Sequence, residues 1–410
     1  MNVTITPAKL KGKVTVPPSK SQAHRLIIAA ALAAGESVIT NVAYSKDIEA
    51  TIRCMEELGA GFIREGGTLT IQGMGANSMS PMRRMAFPHL DCGESGSTLR
   101  FLITVALAVR GGAIFTGHGR LMERPLQPYF DLFDEKGISY ERKGNTLTVS
   151  GLLTPGDYKL PGHISSQFFS GLMFALPLLS GDSHIVLTSP LESGDYVEMT
   201  RDAMKLAGVR TDKGTIPGSQ TYRPIRQAVE ADWSQAAFYY AAHGLGNEVM
   251  MYGLNPVSTQ GDTRIVPLYT ELCSSDEEVV QDVSNCPDLF PPLALLAAMR
   301  EGKSTHLGGA ARLRIKESDR ICAVCDVLRT FGLTVEEFTD GISLVGVDTL
   351  KGNVTINCHN DHRIAMMAAM AATRADGPVT LVGAECVAKS YPNFWEDYEM
   401  LGGNIVKSEV

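Results

Sequence analysis

One pattern constrains this chain more than any other: an apolar helix-like run, a glycine turn and a β-branched strand recur six times. The runs are Leu26–Val42, Phe101–Gly117, Leu172–Ser189, Ala236–Leu254, Leu293–Gly309 and Ala365–Gly383. Their turn glycines are Gly35, Gly112, Gly181, Gly246, Gly302 and Gly377, and a sixth of 410 residues is about 68. A period of that size marks an architecture of repeated units. Most units continue into an amphipathic helix closed by glycine. Asp47–Leu58 stops at Gly59, Leu126–Lys136 at Gly137, Tyr196–Ala207 at Gly208 and Asp319–Phe331 at Gly332. Glycine takes the left-handed position past a helix end without a Cβ penalty. Asp262–Ser274 lacks such a stop, and Asn393–Leu401 precedes Gly402 and Gly403. A single core rarely grows past about 250–300 residues. The pattern therefore predicts an α/β protein of two domains with three units each. Their joint is expected around Pro217–Arg226, where Pro217, Gly218 and Pro224 interrupt helical periodicity.

Composition narrows the function classes. Lys and Arg total 37 against 45 Asp and Glu, a net charge of −8, and aromatic residues make up 7%. Nucleic-acid binding needs a broad basic surface or stacking aromatics, so neither duplex nor single-strand binding fits. Met1–Thr6 alternates like a strand and has no signal-peptide core, and the uncharged stretch Phe168–Gly181 is too short for a bilayer. A cytoplasmic protein without a membrane partner is expected. Eight cysteines in this length are no disulfide scaffold. Cys322 and Cys325 share helical spacing with Ile321, Val324 and Leu328, so both are expected to be core-facing thiols.

The chemistry lies in clusters beside helix starts. Pro17 to Arg25, Asp91 to Arg100, His163 to Gln167 and Asn360 to Arg363 each bring hydroxyls, glycine or cations to the head of an apolar helix. Unpaired N–H groups and a partial positive charge at such ends suit phosphate or carboxylate. Further cations lie in Glu123-Arg124-Pro125, Arg312 to Arg320 and Ala388 to Pro392. In the Arg312–Arg320 cluster, i, i+4 spacing predicts Lys316 and Arg320 on one helical face. Ala388 stands where a phosphate-binding Walker loop needs glycine, and no G-x-G-x-x-G opens a helix, so nucleotide cofactors are disfavoured. Cys358, His359 and His362 lack the carboxylate-rich partner a metal site would need, so neither metal nor cofactor is expected. The residues alone point to a pocket for several anionic groups.

At these clusters the chain resembles the 5-enolpyruvylshikimate-3-phosphate synthase family of enolpyruvyl transferases. The resemblance runs end to end through Pro18-Ser19-Lys20-Ser21, Asp91 to Arg100, Glu123-Arg124-Pro125, Ser165-Ser166-Gln167, Lys316 to Arg320, Asn360 to Arg363 and Ala388-Lys389-Ser390. It implies two inside-out α/β barrel-like domains, each of three βαβαββ repeats, with an active-site cleft between them that closes on substrates. It places residues 14–226 in the first domain, and 1–13 with 227–410 in the second. The implied reaction moves the enolpyruvyl group of phosphoenolpyruvate to the 5-hydroxyl of shikimate 3-phosphate and releases phosphate, in a monomer without metal.

The same resemblance assigns shikimate 3-phosphate to Lys20, Ser21, Arg25, Ser165, Ser166, Gln167, Ser193, Tyr196, Asp288, Arg312 and Lys316. It assigns phosphoenolpyruvate to Lys20, Gly96, Arg124, Gln167, Arg320, Arg363 and Lys389. Asp288 resembles the base on the 5-hydroxyl and Glu317 the acid on the methylene carbon, with Lys20 also catalytic. As bland readings, Asp288 is an N-cap before a Leu289–Met299 helix and Glu317 a surface partner of Arg320. Two departures from the family pattern are Glu94, expected to pair with Arg124 or Lys20 or to point away, and Arg312 in place of an asparagine. Two rivals are the related transferase acting on UDP-N-acetylglucosamine, whose loop cysteine has no counterpart between Gly112 and Arg124, and a non-catalytic anion-binding protein.

Overall fold

Apolar helices alternate with half-buried strands throughout the computed structural model, which describes residues 1–75, 86–212 and 214–409. The chain forms two compact units, Pro18–Glu230 and Met1–Pro17 with Ala231–Val410.

In the Pro18–Glu230 unit, one repeat displays the wiring most plainly. Strands His89–Asp91 and Gly112–Thr116 run parallel, joined by helix Gly96–Arg110. Helix Gln127–Lys136 follows, then a hairpin of Ser139–Lys143 and Thr146–Ser150 whose second strand pairs antiparallel with Gly112–Thr116. Parallel neighbours need a crossover of this kind, and the helix supplies it. A second sheet orders Arg226–Ala228, Ala34–Thr40, Thr68–Met74 and Gly61–Glu65; a third holds Gly156–Leu160, Ser183–Leu187 and Thr215–Ile216. The segment 217–226 packs within this unit, with Tyr222 and Ile225 buried and the Tyr222 hydroxyl donating to the Phe174 carbonyl.

The other unit repeats the scheme with Val279–Asp282, Ser304–Gly308, Gly341–Val345 and Val335–Phe338 in one sheet. Strand Asn2–Thr6 lies between Val379–Val382 and Asn404–Ser408, and Lys11–Thr15 runs parallel to Glu248–Tyr252. Helices Lys20–Leu32, Gly96–Arg110, Ser166–Ala175, Trp233–Gly244, Phe290–Ala298 and His362–Ala371 are buried over most of their residues. Helices apolar on all sides belong in a core, while strands such as Asn2–Thr6 and Thr146–Ser150 alternate buried with less buried positions. The helix heads, where backbone N–H groups lack helical partners, are then the places where polar chemistry survives.

One core assignment needs correction. Cys325 is buried, but Cys322 is only half-buried and lies beside Asp326. Helical spacing alone cannot tell a core stripe from its margin. Among the described residues no helix is long and apolar enough to cross a membrane, and no cluster of His, Cys, Asp or Glu could hold a metal ion.

Candidate active site

Four of the clusters read from sequence are helix N-caps. Ser19, Ser95, Ser165 and Asp361 each accept a backbone N–H from the first turn of the helices beginning at Lys20, Gly96, Ser166 and His362. Short side-chain acceptors at these positions stop the helix where its dipole is positive.

In the Pro18–Glu230 unit, Arg25 is buried and held on several sides. Its guanidinium donates to Thr200 Oγ1 at 2.8 Å, to the Ser21 carbonyl at 2.7 Å and to the Tyr196 carbonyl at 2.9 Å. It also lies over the Phe101 ring. Burial lowers its pKa to about 10, still charged at neutral pH. The structure thus joins Ser21, Arg25 and Tyr196. Ser193 precedes helix Gly194–Leu206 at φ +54, a left-handed conformation uncommon for serine, and its side chain makes no cap bond. Lys20 pairs with Asp47 at 2.7 Å.

Arg124 crosses the head of helix Gly96–Arg110. A Cβ on Gly96 would stand 2.7 Å from Arg124 Nη1, so only glycine admits the guanidinium there. Gln167, in the first turn of helix Ser166–Ala175, accepts from Arg100 at 2.8 Å and donates to Ser97 Oγ at 3.0 Å. The Glu94 carboxylate abuts Gly119, where a Cβ would come within 2.6 Å of Oε2.

In the Ala231–Val410 segment, one guanidinium organises three carboxylates. Arg320, 1% exposed, donates to Glu317 Oε2 at 2.7 Å, Asp288 Oδ1 at 3.1 Å and Asp361 Oδ2 at 2.9 Å. Arg363 holds the other Asp288 oxygen at 2.8 Å. Burial pushes the Asp288 carboxyl up, but the charges of Arg363, Lys316 and Arg320 outweigh it and hold the group well below the usual carboxylate range. Nearby Asp262, buried beside Asp288 and accepting from Ser234, is instead raised to about 7, by burial first and then by the Asp288 charge. Lys389 donates to the Asn360 carbonyl at 2.7 Å.

Both bland readings fail. The Phe290–Ala298 helix has Leu289 at its N-cap position, and Asp288 sits in a single 3-10 turn, Pro287–Leu289, with its carboxylate turned to two arginines. The Glu317–Arg320 pair is no surface pair, since Arg320 is buried. The shared helical face of Lys316 and Arg320 also needs correction. Helix Arg320–Thr330 begins after Lys316, which has extended backbone at the end of a 3-10 segment. Their charges meet at Asp288 instead of along a helix. Arg312 donates to the Ser284 carbonyl.

Sequence reading assigned no site role to Asp47, Asp361, Ser318, Thr200 or Arg100, which hold the assigned residues in place. Ser318 donates to Asp361 at 3.0 Å, so Asp361 caps one helix and anchors Arg320 with the same carboxylate. A usable signal existed: Asp361 and Arg100 are charged residues at the heads of helices too apolar to leave them solvated.

A family model for EPSP synthase (3-phosphoshikimate 1-carboxyvinyltransferase) matches residues 5–398. A 3-phosphoshikimate 1-carboxyvinyltransferase of Clostridium perfringens is 42% identical over 99% of both chains. Its counterpart in Clostridium kluyveri is 43% identical over 98% of both. Among solved structures, an EPSP synthase from Acinetobacter baumannii superposes with a TM-score of 0.79 at 26% identity, covering 99% of this chain and 100% of that one.

Proposed function

The chain belongs to the EPSP synthase family, and from that premise we propose how its residues divide the reaction. The enzyme transfers the enolpyruvyl group of phosphoenolpyruvate to the 5-hydroxyl of shikimate 3-phosphate, releasing phosphate through a tetrahedral intermediate. This is a step of the shikimate pathway toward chorismate and the aromatic amino acids. The buried Arg320 that bridges Asp288 and Glu317 is the observation that carries the mechanism.

Ser21, Arg25, Ser165, Ser166, Ser193, Tyr196, Arg312 and Lys316 bind shikimate 3-phosphate in this reading, with Lys20 and Gln167 shared between the substrates. Gly96, Arg124, Arg320, Arg363 and Lys389 bind phosphoenolpyruvate. Glu317 gives a proton to the methylene carbon, and C2 gains oxocarbenium character. The 5-oxygen then bonds to C2 while its proton passes to Asp288. In the second half the C2–O bond to phosphate breaks, a methyl proton returns to the Glu317 carboxylate, the proton on Asp288 leaves with the phosphate, and the cations hold that departing group.

An Asp288 held low is ionised and available, but a weak base. Its proton transfer therefore belongs with C–O bond formation, when the attacking hydroxyl becomes acidic. Anionic substrate on Arg363 and Arg320 absorbs part of their field, which raises the proton affinity of Asp288 as the site fills. The architecture in this reading is two inside-out barrel-like domains of βαβαββ repeats, which the buried helices and half-exposed sheets support. The eight free thiols support a reducing, cytoplasmic setting.

Phosphate release tests the function. It is expected only when both substrates are present; release with UDP-N-acetylglucosamine in place of shikimate 3-phosphate contradicts the reading. Gly96→Ala tests the Arg124 assignment. The added methyl displaces the guanidinium, so steady-state rates are expected to show at least about a 10-fold higher KM for phosphoenolpyruvate. The KM for shikimate 3-phosphate should stay within a few-fold.

A further inference from the structure

Arg100 carries no ligand assignment of its own, but it bonds to a residue that does. It is 4% exposed, stacks on the Phe168 ring at 5.1 Å, and donates to Gln167 Oε1 and to the Pro125 carbonyl at 3.1 Å. A guanidinium carries only donors, so the Gln167 atom facing it is the carbonyl oxygen. That fixes the amide: Nε2 faces Ser97, and one of its protons goes to Ser97 Oγ. Ser97 Oγ, occupied as an acceptor, turns its own proton elsewhere. The Arg100–Gln167–Ser97 line thus has one polarity, with N–H and O–H at its far end.

The supporting geometry is rigid. Gly171, one turn beyond Gln167, packs so closely that a Cβ would come within 2.5 Å of the Arg100 carbonyl oxygen and 2.3 Å of the Tyr129 hydroxyl. The Tyr129 hydroxyl donates to the Arg100 carbonyl at 2.8 Å. Helices Gly96–Arg110 and Ser166–Ala175 are therefore held at one separation. By gripping the Pro125 carbonyl, Arg100 also fixes the backbone next to Arg124.

We propose that Arg100 is a positioning residue for phosphoenolpyruvate: it locks the Gln167 amide with its donor edge toward the anion. Released from Arg100, the amide can turn and present its oxygen, which repels a carboxylate or phosphate. This rests on the reading that Gln167 binds phosphoenolpyruvate.

Steady-state kinetics of Arg100→Met, Gln167→Ala and the double variant test it, with thermal unfolding measured on each. Each single variant is expected to raise the phosphoenolpyruvate KM by about 10- to 100-fold and, because Gln167 is shared between the substrates, the shikimate 3-phosphate KM by a clearly smaller factor. The double variant should fall well short of the product of the two effects. Arg100→Lys, which keeps the charge but cannot fork to both acceptors, should recover part of the loss. Gln167→Glu, able to accept from Arg100 but stripped of Nε2, should raise the same KM without lowering the unfolding temperature. Fully multiplicative effects, equal losses on both substrates, or a normal KM in Arg100→Met beside a damaged Gln167→Ala would overturn the proposal. A normal KM in Gln167→Ala would remove Gln167 from the site and the positioning role with it.

Discussion

Glu317→Gln is expected to lower turnover by about 10²–10⁴-fold, the range a positioned general acid contributes, while both KM values stay within a few-fold. Glutamine keeps the shape and can still accept from Arg320 Nη2, so the bridge to Asp288 survives; what disappears is the transferable proton. Initial rates of phosphate release and calorimetric binding of shikimate 3-phosphate separate the two effects. Near wild-type turnover would take Glu317 out of the acid role. Asp288→Asn is expected to lose turnover on the same scale, since an amide cannot take up the hydroxyl proton.

Arg320→Met is expected to remove activity and to destabilise the protein by about 3–5 kcal/mol, the typical result of stripping one partner from a buried ion pair. Its guanidinium serves Asp361, Asp288 and Glu317, and Asp361 has no exposed surface. Methionine fills the volume but leaves those carboxylates facing a hydrocarbon. Denaturant unfolding should show the loss. Adding Asp361→Asn should restore part of the stability, because a neutral amide tolerates burial better, yet no turnover. An Arg320→Met protein as stable as the wild type would show that the three carboxylates do not depend on this cation.

The repeat pattern and the helix heads were legible because they follow short-range rules. Ser19, Ser95, Ser165 and Asp361 cap helices as their residue types and positions foretell. Glycine at 59 and 137 takes the left-handed C-cap, as the stop signals implied. What sequence could not supply was the long-range pairing. Asp288 meets Arg363 across 75 positions, and Arg100 meets Gln167 across 67. The helical-face argument for Lys316 failed for a local reason: the Asp319 cap starts the helix one turn late, leaving Lys316 on extended backbone. Glu94 was ambiguous in sequence because a residue it lies against, Gly119, is in a separate loop beyond the following strand.

The most direct test of proton delivery to the methylene carbon is turnover in D2O with mass spectrometry of the product. Protonation by an exchanged carboxyl group makes a CH2D group at that carbon, and loss of one of its three hydrogens returns a methylene that keeps deuterium in part of the product. After the exchangeable positions are returned to hydrogen in H2O, carbon-bound deuterium in the enolpyruvyl group is the result expected here. Product that accumulates without it would contradict the addition–elimination route and the role of Glu317 together.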